Sequence, residues 1–80
     1  MGKNKMETEY LKFMEIPTAG KTQSWNVCNK QHGDKLGIIK WYGPWRQYCY
    51  FPTIQAVYST GCLQDINNFI KVEMQKRKLT

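Results

Sequence analysis

The residues best suited to hold a ligand crowd into one short segment. Trp41, Tyr42, Trp45, Tyr48, Tyr50 and Phe51 place six of the eleven aromatic side chains within eleven positions, and Lys40 and Arg46 stand among them. Flat rings interleaved with cations suit a heterocycle joined to phosphate, because the rings stack on the base while the cations meet the charge. Losing one such ring costs about 1–3 kcal/mol of binding per base. The plainer account makes the same side chains cross-strand neighbours on a solvated sheet, each pair adding about 0.2–1 kcal/mol. Trp45 resists that account, since it follows Gly43-Pro44 at a turn where burial is difficult, and Trp beside Arg is a frequent anchor of recognition surfaces. The candidate ligand-binding residues are therefore Lys40, Tyr42, Trp45, Arg46, Tyr48 and Tyr50.

Other reactive groups carry less. His32 and Asp34, with a distant Ser24 or Ser59, supply the letters of a hydrolase, but His32 lies in a polar stretch where a solvated imidazole is the ordinary outcome. Gly20-Lys21-Thr22 echoes the end of a phosphate-binding loop, and Glu15 occupies the position of its first glycine, so the motif fails. Cys28, Cys49 and Cys62 are odd in number and form no Cys-x-x-Cys pair, which excludes a disulfide framework and a zinc knuckle. Cys49 reads as a small buried residue between two tyrosines. With no paired carboxylates, metal cluster or activated nucleophile, the expectation is a non-enzymatic binding protein needing no metal and no cofactor.

These residues need a scaffold, and the chain is short for one. Eighty residues with a formal charge of +6 make a single small basic domain, whose core leans on its aromatic residues. The charge gathers in two places. Residues 22–52 carry Lys30, Lys35, Lys40 and Arg46 against Asp34, and residues 71–80 carry Lys71, Lys76, Arg77 and Lys78 against Glu73. Residues 1–9 are polar and expected to be a flexible N-terminus, leaving residues 10–80 as the folded domain. Tyr10 to Ile16 reads as a short strand or one helical turn, stopped by Pro17. Residues 22–29 alternate as a strand; residues 29–35 form a loop; Leu36 to Tyr42 and Arg46 to Phe51 form a β-hairpin. Residues 53–59 fit a fourth strand or a structured loop. Leu63, Ile66, Phe69, Ile70 and Met74 then recur at helical spacing, with Ser59 or Thr60 available as the cap and Lys76, Arg77 and Lys78 at the negative end of the dipole. That basic end forms a secondary patch for an acidic partner. The class is α+β: an antiparallel meander of three to four strands with a C-terminal amphipathic helix on one face.

One face of such a sheet stays uncovered. Counting Gly43-Pro44-Trp45 as a three-residue connection sets Tyr42 opposite Arg46, Lys40 opposite Tyr48 and Ile38 opposite Tyr50. Lys40, Tyr42, Arg46, Tyr48 and Tyr50 then share the open face, while Ile39, Trp41, Cys49 and Phe51 meet the helix. A slip of one residue would mix the two sets.

The segment from Leu36 to Pro52, with Gly61-Cys62-Leu63-Gln64-Asp65-Ile66, resembles a family of small uncharacterised proteins of phages, prophages and bacterial genomes; the resemblance spans roughly residues 25–72. It implies a phage accessory factor that binds or blocks something in the host, and supplies no mechanism. The strand–strand–strand–helix order is also similar to sheet-reading DNA-binding domains of integrases and plant transcription factors, and to the second half of double-stranded-RNA-binding domains. The last of these begins its final helix with basic residues, whereas Asp65 stands here and no Lys or Arg precedes Lys71. The expected partners are a nucleotide or nucleic acid or, alternatively, a host protein that the chain inhibits. Counter-defence by sequestering a cyclic nucleotide signal belongs with these readings. An edge strand at residues 22–29 would also allow pairing with a second copy. No apolar run suits a membrane span, and Met1 to Glu7 lacks the apolar core of a secretory signal, so a cytoplasmic setting is expected, in the host cell if the protein is phage-encoded.

Overall fold

Turn-forming residues divide the chain into short strands followed by one helix. A computed structural model describes residues 5–79. The elements are β1 (Lys5–Glu7), β2 (Leu11–Ile16), β3 (Ser24–Asn29), β4 (Lys35–Tyr42), β5 (Gln47–Pro52) and the helix α1 (Thr60–Leu79). The strands form one antiparallel meander in the order β1-β2-β3-β4-β5. The class is α+β, with five strands rather than three or four. β1 falls within the segment expected to be a flexible N-terminus; its residues pair with β2, Met6 opposite Phe13 and Glu7 opposite Lys12. The expectation for residues 1–4 lies outside the described residues. β3 is the central strand, so the proposed edge at residues 22–29 is already paired on both sides.

Local chemistry explains the turns. Pro17 follows the end of β2, where it cannot donate to a ladder. Between β3 and β4, the side-chain oxygen of Asn29 accepts the amides of Gln31 and His32 at 2.9 and 2.8 Å, and Gly33 takes a φ of +79°. Between β4 and β5, Gly43–Trp45 forms one 3-10 turn, and Arg46 closes it in the left-handed region with its amide on the Gly43 carbonyl at 3.1 Å.

The connection is thus four residues long, and this corrects the expected register. Tyr42 pairs with Gln47, Trp41 with Tyr48, Lys40 with Cys49, Ile39 with Tyr50 and Ile38 with Phe51. Because side chains alternate along a strand, a slip of one position exchanges the faces of all of β5. Tyr48 and Tyr50 turn toward the helix, and Cys49 and Phe51 turn to the open side.

Residues 53–59 form a loop, not a strand, in which Ile54 and Val57 are 91% and 85% exposed while Ala56 and Tyr58 pack on the core. The loop is tied to β4 through one carbonyl: Leu36 O accepts the Thr53 amide at 2.9 Å, the Thr53 hydroxyl at 3.1 Å and the Tyr58 hydroxyl at 2.7 Å. Ser59 then caps α1. Its Oγ accepts the amide of Cys62 at 3.1 Å, satisfying one of the unpaired first-turn donors. Ser59→Ala should lower stability by about 1 kcal/mol, measured as the urea midpoint at unchanged slope.

The helix buries Cys62, Ile66, Phe69 and Glu73 against the sheet, with Ile70 and Met74 beside them. Leu63, expected on that stripe, is exposed. The buried line has rotated by one position because Cys62 fills the space near the cap and Glu73 fits inward, its carboxylate accepting Lys76 Nζ at 3.1 Å. Across the sheet the core is Leu11, Phe13, Trp25, Val27, Ile39 and Tyr48. Phe69 stacks on Phe13 with ring centres 4.3 Å apart and meets the Trp25 edge at 5.0 Å.

Candidate binding face

The helix covers one side of the sheet and leaves the other without a layer. Directly opposed residues share a face, so the pairings assign the open side row by row. Nearest the β4–β5 turn, Tyr42 stands opposite Gln47. The next row is Ile16, Ser24, Lys40 and Cys49; the third is Met14, Asn26, Ile38 and Phe51. At the far end, Lys12, Cys28 and Lys35 line up.

At the turn end, rings and cations meet. Trp45 is 66% exposed and sits edge-on to Tyr42, with centroids 5.1 Å apart. Tyr42 in turn meets Phe51 at 6.0 Å, and Lys40 Nζ lies 4.7 Å from the centre of the Phe51 ring. Arg46 is exposed at the same turn. Four of the expected residues, Lys40, Tyr42, Trp45 and Arg46, therefore belong to this end of the molecule. Phe51 joins them, and sequence reasoning had assigned it to the helix side.

Tyr48 and Tyr50 do not join them. Tyr48 is 4% exposed, set edge-on between Trp25 at 5.4 Å and Trp41 at 5.3 Å, and its hydroxyl accepts the Gln23 amide at 3.2 Å. Its own amide donates to Met74 Sδ at 3.4 Å, so the helix partly covers the outer edge of β5. Tyr50 lies over Gly37 on the helix side, 2.7 Å from the Tyr58 hydroxyl. Since Tyr58 donates its single proton to Leu36 O, Tyr50 is the donor to Tyr58. Burial, reinforced by that hydrogen bond, holds the Tyr50 phenol well above the ordinary tyrosine range.

The expected basic patch at the helix end is divided among structural roles. Lys76 pairs with Glu73, and the Arg77 guanidinium lies 4.1 Å from the centre of the Trp41 ring. Lys78 is exposed. Of the three, Arg77 is the one that ties the end of α1 to the sheet, on the side opposite the ring cluster.

With the geometry described, comparison with known proteins supplies the family. Over 72 residues the chain is 39% identical to the Uncharacterized 9.3 kDa protein of Acholeplasma phage L2, covering 89% of this chain and 92% of that one. It belongs to the family of that small phage protein. No protein-family model matches the chain, and no solved structure matches it. As a member of this phage-protein family it has, among the described residues, no helix long and apolar enough to cross a membrane.

Proposed function

We propose that the protein is a non-enzymatic binding protein of phage accessory type that takes a nucleotide or nucleic-acid base on the open sheet face. Tyr42, Trp45 and Phe51 supply the stacking surfaces, and Lys40 and Arg46 meet phosphate. The observation that supports this reading is the Trp45–Tyr42–Phe51 ring cluster with Lys40 against it, standing outside the helix-covered core. The Lys40 ammonium rests on the Phe51 ring and swings to a phosphate when a base takes its place.

Trp45 reports on its own site. The test is a thermal-shift and tryptophan-fluorescence titration with nucleotides, cyclic nucleotides and a short oligonucleotide at two salt concentrations. Binding raises the melting temperature by mass action, and affinity for the oligonucleotide falls with salt. A Trp45→Ala, Arg46→Ala double variant should fold as wild type, because both residues are exposed, and should weaken binding about 5- to 150-fold, the equivalent of one stacked base. Ligand affinity unchanged in that variant overturns the reading.

The half-buried apolar row of Met14, Ile38 and Phe51 beside Trp45 favours a second reading, a host-protein inhibitor with Trp45 and Arg46 as hot spots. It becomes the better account if no nucleotide or oligonucleotide shifts either signal.

A further inference from the structure

We infer that the occupant of the open face is an unpaired nucleic-acid strand of about four nucleotides, running from the ring cluster at the β4–β5 turn to Lys12 and Lys35 at the opposite end of the sheet; this rests on the stacking reading above and specifies its ligand. The far row supplies the reason. The pairings bring Lys12 of β2 and Lys35 of β4 to either side of Cys28 on the open side. Lys35 is exposed and Lys12 half-buried. Glu7, opposite Lys12 on β1, lies 3.9 Å from Lys30 Nζ, so a cation already faces the nearby carboxylate. The face therefore carries cations at both ends.

Length then chooses among ligands. The register shift between Val27 and Cys28 makes Leu36 an extra residue of β4, buried in the core, and so returns Lys35 to the side of Tyr42. With that bulge the two stand about 20 Å apart along the strand. One nucleotide on the rings cannot reach the far lysines. A strand carrying a phosphate at every nucleotide does, and about four nucleotides is the lower end of what small sheet-based modules hold. Unpaired bases are required because only they offer their flat faces to Tyr42, Trp45 and Phe51; a duplex keeps those faces stacked inside and presents phosphates and groove edges. Asn26 lies midway, between Met14 and Ile38, and its Oδ1 is buried without a hydrogen-bond partner. Turned outward, that amide meets base edges with both a donor and an acceptor.

Tryptophan fluorescence of the full chain, titrated with thymidine monophosphate, with oligothymidylates of two, four and eight nucleotides, and with a duplex of eight pairs, tests the inference. Affinity should rise about tenfold or more between two and four nucleotides and then level off, with the duplex weaker than the octamer. A Lys12→Gln, Lys35→Gln double variant should bind the dinucleotide as wild type does. On the octamer it should lower the slope of log affinity against log salt by about 1.4, and each single variant should lower it by about half of that. If the dinucleotide or the duplex binds as tightly as the octamer, or if none of the lysine variants changes the octamer slope, the strand inference fails. The stacking reading survives such a result provided that the Trp45→Ala, Arg46→Ala variant still loses affinity. Absence of binding to every one of these ligands removes the strand inference, and the stacking reading falls with it when the nucleotides and cyclic nucleotides above also fail to bind.

Discussion

Gly37→Ala should lower the stability of the fold by about 3 kcal/mol, at the upper end of what overpacking a core costs. A Cβ on Gly37 would lie 2.5 Å from the Tyr50 hydroxyl and 2.6 Å from the backbone oxygen of Phe51. The first neighbour is the tip of a side chain, and the second is part of the β5 ladder. Tyr50 could withdraw only by breaking its hydrogen bond to Tyr58, whose own proton holds Leu36 O and so the loop that leads into α1. Because a domain of this size has on the order of 4–12 kcal/mol of total stability, the loss is a large share of it. The melting temperature should fall by about 12–24 °C. Gly20→Ala and Gly43→Ala provide controls, since a Cβ at either position has nothing within 4 Å, and both should be nearly neutral. Adding Tyr50→Ala to Gly37→Ala should not restore stability, because the clash with Phe51 O remains. Equal melting temperatures for Gly37→Ala and Gly43→Ala would show that β5 does not cross β4 in the register described.

That register is where sequence reasoning met its limit. The helix was legible because its apolar residues repeat at helical spacing and Ser59 is a strong cap, and the hairpin because β-branched and aromatic residues flank Gly43-Pro44. The length of the connection was not. A left-handed residue closing a turn is commonly Gly or Asn, and here Arg46 holds that conformation at φ 53°, with no letter to announce it. Composition gave no correction either, since β5 carries aromatic residues on both faces: Tyr48 and Tyr50 on one, Phe51 on the other. Sorting polar from apolar side chains therefore favoured a register that is one residue out, which placed two buried tyrosines in the candidate site and left Phe51 outside it.

The same reasoning accounts for the smaller differences. β1 is three residues long, too short for alternation to be distinguished from a polar terminus. Glu73 is 6% exposed on the buried stripe of α1, a place sequence rules reserve for apolar residues, and it is accommodated by Lys76 one turn on. What sequence did convey was the concentration of rings and cations in the hairpin and the bareness of one sheet face. Trp45 survived as a candidate because its place at the turn did not depend on register.

Tyr48→Ala and Phe51→Ala should separate fold from binding, in the opposite sense to that expected from sequence. Tyr48 is enclosed by Trp25 and Trp41, and its hydroxyl satisfies the Gln23 amide. Truncation opens a cavity at the centre of the aromatic core and should cost about 3–5 kcal/mol, enough to unfold much of the population. Tyr48→Phe keeps the packing and removes only the acceptor of one amide, so its cost should be about 1 kcal/mol. Phe51 is half-buried on the uncovered side, in contact with Tyr42 and Lys40. Its removal should leave a folded protein with a urea midpoint much closer to wild type, but should weaken the ligand by about 1–3 kcal/mol where one base loses its stacking partner. Urea denaturation followed by circular dichroism measures the first effect, and the fluorescence titration measures the second. If Phe51→Ala unfolds the chain while Tyr48→Ala remains folded with impaired binding, the two faces of β5 have been exchanged and the ring cluster on the open side is not the docking surface. The length of one four-residue connection thus decides which aromatic side chains of β5 build the core and which stand on the open side.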